Sequence, residues 1–357
     1  MTKVTLKDIA DKVGISQQTV SKVLNKRNFT VSTATKRKIL ATARKLNYRP
    51  NLFAQVLKTG RTNMIGVATM GSSLGRFDMP YAGRVYQGIG DFFAKHNYKL
   101  IFRNLHELMG QDMGLNLAEN RAVDGLIFLL FSHEVAPFKK KQAPVLDKLG
   151  IPFVVVHSLG EDFGFNSVGL DCVRGGELAA AHLLDHGYHS AGGIGCVKTP
   201  TTNIHCTHLL TGFKRGLAAH GVRMKPKHVF DIPRVETRLG YQLAKDILSR
   251  KADLPRALFV IDDEIVFGLQ KGLAEAGIRV PQDLALIGFG DRFSQDYFLS
   301  TITSVEQPAL EKGYQAAELL YDQLSNNGDN KKHRTVINTP KLIIGNSCGC
   351  IKKGRMT

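Results

Sequence analysis

The hydrophobic residues in the first fifty positions recur at helical spacing and predict three short helices. The first is predicted at Leu6–Val13, where the apolar residues fall on one stripe and Gly14 provides a C-terminal stop. Ser16 is a suitable N-cap for a second helix at Gln17–Leu24, and Ser32 is one for a third. Two short helices joined by a glycine-containing turn of this length predict a helix-turn-helix.

The third helix begins with three cations and no acid, from Lys36 to Lys38. Cations oppose the dipole at a helix N-terminus, so they indicate either a nearby phosphate backbone or a tolerated run of solvated charge. We expect this helix to be capped by a left-handed Asn47, and to bury Ile39, Leu40, Ala43 and Leu46.

From residue 64 onward, short apolar runs alternate with amphipathic stretches, which predicts an α/β domain with mainly parallel sheets. Its length favours two lobes, with a ligand bound between them beyond the carboxyl ends of the strands. Strands are predicted at 64–69, 100–103, 125–130, 153–157, 167–170, 191–195, 258–261 and 284–289. Helices are predicted at 82–96, 107–121, 172–186, 208–220, 237–250, 263–276 and 308–324.

The net charge of +17 is concentrated at the N-terminal end of the 357-residue chain. Residues 1–61 hold fourteen Lys and Arg against two acids, whereas the rest holds 34 against 29. Such a block can be a solubilising tail or a membrane-surface patch. Here the charges are interleaved with a regular apolar pattern, so they belong to a folded module and favour a polyphosphate partner.

Other bulk features narrow the class of protein. No run approaches the roughly 18 apolar residues of a membrane helix, and the first ten residues lack the apolar run of a secretion signal. Five scattered cysteines do not form a disulfide framework. We therefore expect a cytoplasmic protein with no membrane partner.

The outward face of the second helix carries Gln17, Gln18, Ser21 and Lys22. These residues lie one turn apart in pairs at the N-terminal end, where a recognition helix contacts base edges. Glutamine can bond adenine through N6 and N7, and lysine can reach guanine O6 and N7. The alternative is an ordinary solvated face, which the charge asymmetry and the turn make less favoured.

After Pro50, a stretch from Asn51 to Gly60 is too short for a stable isolated helix. It could order against a partner, and Leu57 could wedge between base steps in a minor groove. A flexible linker is the alternative, although Phe53, Val56 and Leu57 are unusually apolar for one.

Residues 4–67 resemble the start of the lactose-repressor-like (LacI/GalR) family through VTLKDIADKVGISQQTVSKVLN, VS, LNYRPN and LKTGRTNMIGV. The resemblance implies that Gln17, Gln18 and Lys22 read the major groove of a palindromic operator. It also implies that paired hinge helices of a homodimer insert Leu57 at the operator centre. Phe53 departs from the family, where a smaller residue is usual. The full set of implied DNA contacts is Thr5, Ser16, Gln17, Gln18, Thr19, Ser21, Lys22, Asn25, Asn51, Ala54, Leu57 and Lys58.

The resemblance continues more thinly through DGLI at 124–127, GIP at 150–152, HLL at 182–184, GIRVP at 277–281, IGF at 287–289 and QP at 307–308. It implies a periplasmic-binding-protein-like fold that binds a small effector and dimerises. The expected domains are a helix-turn-helix head at 1–50, a hinge helix and linker at 51–61, and an effector domain at 62–357. We expect a first lobe at about 62–163 and 292–323, and a second at about 164–291 and 324–357.

The same resemblance implies effector contacts at Tyr81, His157, His208, Asp263 and Arg292. His157 stands where Asp is common, and Leu209 stands where the family places an Arg that grips sugar hydroxyls. The loop at 198–207 also looks a few residues longer than usual. The effector is therefore expected to be a carbohydrate or derivative, a different small molecule, or none.

Several constellations are discounted, and we expect no catalytic residue, metal or cofactor. Gly345–Gly349 matches G-x-S-x-G, but the last histidine, His333, precedes the serine where a catalytic histidine should follow it. The set His205, Cys206 and His208 lacks paired zinc spacing. His182, His186 and His189 recur at helical spacing, but the family resemblance implies that two of them stand at positions with no metal role. Cys348 and Cys350 are expected to be plain surface or edge residues.

The leading hypothesis is a homodimeric, DNA-binding transcription regulator, usually a repressor in this family, whose operator affinity depends on an effector. The first alternative is a cytoplasmic small-molecule-binding protein without a DNA function. The second is an enzyme acting in the cleft between the lobes, for which the sequence offers no credible catalytic set.

Overall fold

Contacts within the chain separate a small N-terminal unit from a large unit. The computed structural model describes residues 4–24, 31–48, 60–69, 80–104, 122–189, 193–199, 204–249, 254–290, 301–325 and 333–350. Contacts divide the chain into two units, Met1–Thr62 and Asn63–Thr357. The small unit contains three helices, α1 (Leu6–Val13), α2 (Gln17–Leu24) and α3 (Thr33–Lys45).

The three helices begin and end where the sequence predicts. Thr5 and Asp8 form a capping box at α1, and Gly14 ends that helix with a φ of 77°. The Ser32 side chain accepts from the Thr35 amide, and Asn47 has the predicted left-handed φ, at 49°. The core of the unit joins all three helices through Ile9, Ala10, Val13, Val20, Val23, Ile39 and Ala43.

One expectation for α3 is wrong, and one of its cations has a partner within the protein. Leu40 is 37% exposed rather than buried, because Ile39 and Ala43 occupy the core side of the helix and leave position 40 outside it. Lys38 Nζ donates to the Val13 carbonyl at 3.3 Å, at the C-terminal end of α1. A cation is favourable at that end of a helix dipole, so this lysine has a partner within the protein.

The first sheet of the large unit is wholly parallel. Alternate side chains of its central strands pack on opposite faces, so Ile127 and Val154 belong to one core cluster while Phe128 and Val155 belong to another. Helices α4 (Pro80–Lys95) and α11 (Ala309–Ser325) cover the first face, and α5 (Ser132–Lys141) and α6 (Ala143–Leu149) cover the second. In spatial order the strands are β11 (Thr335–Asn338), β5 (Ser167–Leu170), β4 (Phe153–Val156), β3 (Gly125–Leu129), β1 (Met64–Thr69) and β2 (Lys99–Asn104).

The second sheet is parallel except for its edge strand β12, which pairs antiparallel with β10. Its helices are α7 (Cys172–Asp185), α8 (Ile204–Ala218), α9 (Thr237–Ser249) and α10 (Asp263–Glu275), with a 3-10 turn at Pro226–His228. In spatial order its strands are β12 (Lys341–Ile343), β10 (Thr303–Glu306), β9 (Ala285–Gly290), β8 (Ala257–Val260), β6 (Ile194–Lys198) and β7 (Val229–Asp231).

The chain passes between the two sheets after β5, after β10 and between β11 and β12. The lobe bounds therefore differ from the predicted ones. Strands β5 and β11 belong to the first sheet, and β10 belongs to the second. Alternation of apolar and amphipathic segments shows that a strand exists, but not which sheet supplies its hydrogen-bonding neighbour, and that pairing decides the lobe.

The other predicted elements agree with the structure to within a few residues, and strands β7, β10, β11 and β12 are additional to the predicted ones. Three further differences concern other elements. The strand predicted at 191–195 begins at Ile194, after Gly193 with its φ of 95°. Helices α5 and α6 were not predicted, and the helix predicted at 107–121 lies outside the described residues. None of the described helices is long and apolar enough to cross a membrane.

Candidate nucleic-acid interface and effector site

The exposed polar surface of α2 consists of Gln17, Gln18 and Lys22. Val20 and Val23 hold the opposite side of the helix in the core of the small unit. The three exposed side chains can therefore reach a partner without disturbing the packing of the unit.

Ser21 differs from its predicted place on that surface. Its relative exposure is 8%, because position 21 lies at the border of the stripe that Val20 and Leu24 bury. The outward surface of α2 is correspondingly smaller than the sequence predicts.

Three other predicted DNA contacts also start helices. The Thr5 amide and hydroxyl both donate to Asp8 Oδ2, at 2.7 and 2.9 Å, and these bonds hold the pKa of the Asp8 carboxyl below its usual value. Ser16 Oγ accepts from the Thr19 amide at 3.2 Å and contacts the Thr19 hydroxyl at 2.9 Å. These bonds fix the start of α2. The predicted contacts Asn25, Asn51, Ala54, Leu57 and Lys58 lie outside the described residues.

In the large unit, Lys312 joins two of the predicted effector residues. Its Nζ donates to the hydroxyl of Tyr81 at 2.7 Å and to the carbonyl of His157 at 2.6 Å. The Tyr81 ring lies over the ammonium, with 5.2 Å between Nζ and the ring centroid. Lys312 is 0% exposed, which makes it a buried cation where β4 ends.

The His157 side chain is fully buried beside this lysine. Its Nδ1 accepts from the Leu159 amide at 3.1 Å, and its Nε2 has no hydrogen-bond partner among the residues that the structure describes. Burial, together with the charge of Lys312, lowers the pKa of His157 to about 3. The ring is therefore neutral at pH 7, with its proton on Nε2.

Asp263 lies at the carboxyl end of β8, on the second sheet. Its carboxylate accepts from Ser304 Oγ at 2.9 and 3.0 Å. Gly288 and Gly290 leave room for it, because a Cβ at Gly288 would lie 1.9 Å from Asp263 Oδ1. Burial raises the pKa of the preceding residue, Asp262, well above its ordinary value.

Two histidines of α8 contact different lobes. His208 Nε2 is 3.9 Å from Glu161 Oε1, on the loop after β4. The ring of His205 stacks towards Phe289, with 6.5 Å between centroids. Burial and then the charge of Lys312 lower the pKa of His205 to about 4. Arg292, the remaining predicted effector contact, lies outside the described residues.

Leu209, at the position of the family's arginine, is fully buried. Helices α7 and α8 approach closely around it, since a Cβ at Gly176 would lie 2.0 Å from the Leu209 carbonyl oxygen. An apolar side chain suits this position, because it packs in the core of the second lobe rather than offering hydrogen bonds.

Sequence reasoning missed Lys312, although the pattern contained a signal. In the predicted helix at 308–324, Ala309, Ala316 and Leu320 mark the buried stripe, and position 312 falls on it. A lysine on a core stripe indicates a buried cation with a specific partner.

The discounted motifs have structural explanations. Ser347 Oγ donates to the Leu286 carbonyl at 2.7 Å and accepts from the Thr303 amide at 2.9 Å, so this fully buried serine links strands of the second sheet. The expectation for Cys348 is wrong. It is 0% exposed and its Sγ lies 3.1 Å from His182 Nε2, because the segment after β12 turns back onto α7.

Comparison with known families agrees with both units. The profile for bacterial regulatory proteins of the lacI family matches residues 5–51, and the profile for a periplasmic binding protein-like domain matches residues 180–348. The chain is 28% identical over 348 residues to the HTH-type transcriptional repressor PurR of Photobacterium profundum, which covers 96% of this chain and 98% of that protein. It is 27% identical over 351 residues to PurR of Pasteurella multocida, with the same coverage of 96% and 98%.

Solved structures share the fold. The Lac repressor dimer bound to operator and the anti-inducer ONPF has a TM-score of 0.75 at 21% identity, covering 97% of this chain and 99% of that one. A LacI-family regulator from Silicibacter pomeroyi has a TM-score of 0.70 at 26% identity, covering 96% and 99%. A helix-turn-helix unit and a periplasmic-binding-protein-like unit together define a DNA-binding regulator. The chain contains a helix-turn-helix domain that matches the lacI family and a periplasmic binding protein-like domain, and it resembles PurR repressors along almost its entire length.

Proposed function

We propose that the protein is a cytoplasmic, homodimeric repressor of transcription that binds a roughly palindromic operator. The observation that carries this proposal is the exposed surface of Gln17, Gln18 and Lys22 at the start of the second helix of a helix-turn-helix. That surface belongs to a segment with a strong excess of cations. The function is regulatory rather than catalytic, in keeping with the repressors that the chain resembles.

Each group of contacts has a distinct role in this proposal. Gln17, Gln18 and Lys22 read base edges, while Thr5, Ser16 and Thr19 approach the phosphates near the helix starts that they cap. Residues 51–58 act at the centre of the operator, with Leu57 as the wedge, in line with the family resemblance.

Substitution of Gln18 with alanine should relax base preference at one position of each half-site. Binding to an operator that carries the preferred base should weaken by about 1–3 kcal/mol, because a bidentate contact is lost. Binding to a library of operator variants at several salt concentrations measures both specificity and the salt slope.

Gln87→Ala is the matched control, since Gln87 is also exposed on a helix but lies in the large unit. An equal loss on all DNA sequences would instead assign Gln18 to the phosphate backbone. Binding that is absent or insensitive to salt would remove the operator proposal and leave the small-molecule-binding alternative.

We further propose that the effector carries hydroxyl groups and an acidic group, as in a sugar acid or a sugar phosphate. Lys312 donates to two uncharged oxygens, and among the residues that the structure describes no carboxylate lies within ion-pair distance of it. A buried cation without a counter-charge is costly, and an anionic ligand would reduce that cost. The Asp263 carboxylate, which accepts a hydrogen bond from Ser304, is of the kind that accepts hydrogen bonds from ligand hydroxyls.

The segments in which the chain passes from one lobe to the other lie next to these residues. Ser158, which follows His157, donates to Gln307 at 3.5 Å, and the Asp171 amide donates to the Asn338 carbonyl at 3.0 Å. A ligand held by Lys312 and Asp263 would touch both lobes beside the segments about which they move. Effector binding would then change the angle between the lobes and, through it, operator affinity.

Lys312→Met should lower the affinity for an acidic effector by tenfold or more, because methionine fills the site without a charge. A melting-temperature screen with matched pairs, such as glucose against gluconate and glucose 6-phosphate, identifies the class of ligand. Lys95→Met is the control, since Lys95 Nζ also lies near a tyrosine ring, 5.3 Å from that of Tyr314, but on an exposed residue. Equal stabilisation by the neutral and acidic members, or an unchanged response in Lys312→Met, would refute the acidic effector.

A further inference from the structure

Four potential metal ligands from two distant parts of the chain meet on the second lobe. His182 and His186 lie one turn apart near the end of α7, and Cys348 and Cys350 follow β12. His182 Nε2 is 3.1 Å from Cys348 Sγ, and His186 Nε2 is 3.0 Å from Cys350 Sγ. All four ligand atoms lie within 4.8 Å of one another.

These distances resemble the edges of a tetrahedron around one ion. With Zn–S near 2.3 Å and Zn–N near 2.0–2.1 Å, tetrahedral ligand atoms lie roughly 3.3–3.8 Å apart. The two sulfur atoms are 3.4 Å apart, and Cys350 Sγ is 3.6 Å from His182 Nε2. The spacing of the histidines, H-x3-H, is common in zinc sites, and C-x-C is one residue shorter than the usual cysteine pair.

Hydrogen bonds hold Cys348 in place. Thr303 Oγ1 accepts from the Gly345 amide at 2.9 Å and lies 2.8 Å from Cys348 Sγ. Hydrogen bonds of this kind orient metal ligands. The Tyr188 hydroxyl also donates to the Cys348 carbonyl at 2.9 Å, so the backbone of this ligand is fixed as well.

The burial of the four residues suits a structural ion. Cys348 is fully buried, whereas His186 is exposed and Cys350 is partly so, which leaves a path for metal entry from one side. Two thiolates and two imidazoles would complete a four-coordinate shell and leave no position for a water ligand. Soft sulfur ligands with nitrogen in tetrahedral geometry select Zn²⁺ over hard cations such as Mg²⁺ or Ca²⁺.

We propose that His182, His186, Cys348 and Cys350 bind one Zn²⁺ ion, which fastens the segment after β12 to α7. The ion would cross-link residues more than 160 positions apart. Loop closure over such a distance removes much conformational freedom from the unfolded chain, so binding stabilises the large unit. None of the four residues is among the predicted operator contacts or effector contacts.

Metal content of the full-length protein, purified in a reducing buffer without chelator, tests the site directly. The expected result is one zinc per chain, lost in His186→Ala and in Cys350→Ala. His220→Ala should retain the ion, since His220 is an exposed histidine at the end of another helix of the same lobe. Cobalt added to the metal-free protein should give the visible absorption of a tetrahedral thiolate site, and His186→Ala should not.

A stability measurement distinguishes a structural site from incidental binding. Chelation should lower the melting temperature of the large unit in the unsubstituted protein and in His220→Ala, but leave that of His186→Ala unchanged. Because the His186 side chain is exposed, its loss should not itself unfold the protein. Metal-free protein that binds added zinc no better than His186→Ala, or a disulfide between Cys348 and Cys350 in the reducing buffer, would overturn the proposal.

Discussion

Val20→Asp should abolish operator binding while the large unit keeps its melting temperature. Val20 is 0% exposed at the centre of the small unit, in contact with side chains from the other two helices. An unpaired carboxylate there costs several kcal/mol. A unit of 62 residues is stabilised by only roughly 3–9 kcal/mol. The small unit should therefore be largely unfolded, and the surface formed by Gln17, Gln18 and Lys22 should be lost with it.

Calorimetry and DNA binding together test this prediction. The transition of the small unit should disappear, the transition of the large unit should stay in place, and ligand-induced stabilisation of the large unit should persist. Thr33→Asp adds the same charge at the exposed first residue of α3, where the helix dipole favours it, and should keep most of the operator affinity. If Val20→Asp also lowered the melting temperature of the large unit, the two units would not be independent.

The small unit was predictable from sequence because its signals are local. These signals are the capping residues, a left-handed glycine and apolar residues at helical spacing, and each acts over three to five positions. They predict the bounds of α1 and α2 as the structure has them. The errors there, at Ser21 and Leu40, concern residues at the edge of a buried stripe. Their burial depends on how closely a neighbouring helix packs, which the pattern of a single helix does not contain.

The large unit was predictable as a class but not in its lobe bounds. The predicted first lobe includes residues 292–323 and therefore both β10 and α11, but only α11 packs on the first sheet, whereas β10 joins the second. Its partner in the second sheet, β9, is set by hydrogen bonds between segments that are separate in sequence. Non-local pairing of this kind leaves no mark on the hydropathy of either strand.

The same reason explains the two side-chain clusters that sequence reasoning did not assemble. Lys312 meets Tyr81 across 231 positions, and His182 meets Cys348 across 166. In each case one half of the signal was visible: a lysine on a core stripe, and two histidines one turn apart. The second half became visible only when the chain crossings brought α11 and the segment after β12 back to earlier elements.

Mild acid should destabilise the large unit, and a measurable part of that loss should depend on His157, beside the part that His205 contributes. In the folded protein burial and Lys312 hold the pKa of His157 at about 3, whereas an unfolded histidine has a pKa near 6.5. Between these values the unfolded chain binds a proton that the folded chain does not, so the free energy of unfolding falls as pH falls below 6.5. From pH 7 to pH 5 the contribution of this one residue should be about 2 kcal/mol.

Urea unfolding of the large unit at pH 7 and pH 5 measures this loss, and His157→Asn isolates the part that His157 causes. An asparagine side-chain oxygen can accept from the Leu159 amide as Nδ1 does, but it does not titrate in this range. The variant should be less stable at pH 7, since it loses the ring contact with Phe163, yet its decline towards pH 5 should be shallower by about 2 kcal/mol. His189→Asn, at an exposed position, should decline as the unsubstituted protein does. Parallel declines in His157→Asn and the unsubstituted protein would show that His157 does not remain neutral in the folded state, and that acid acts through other groups.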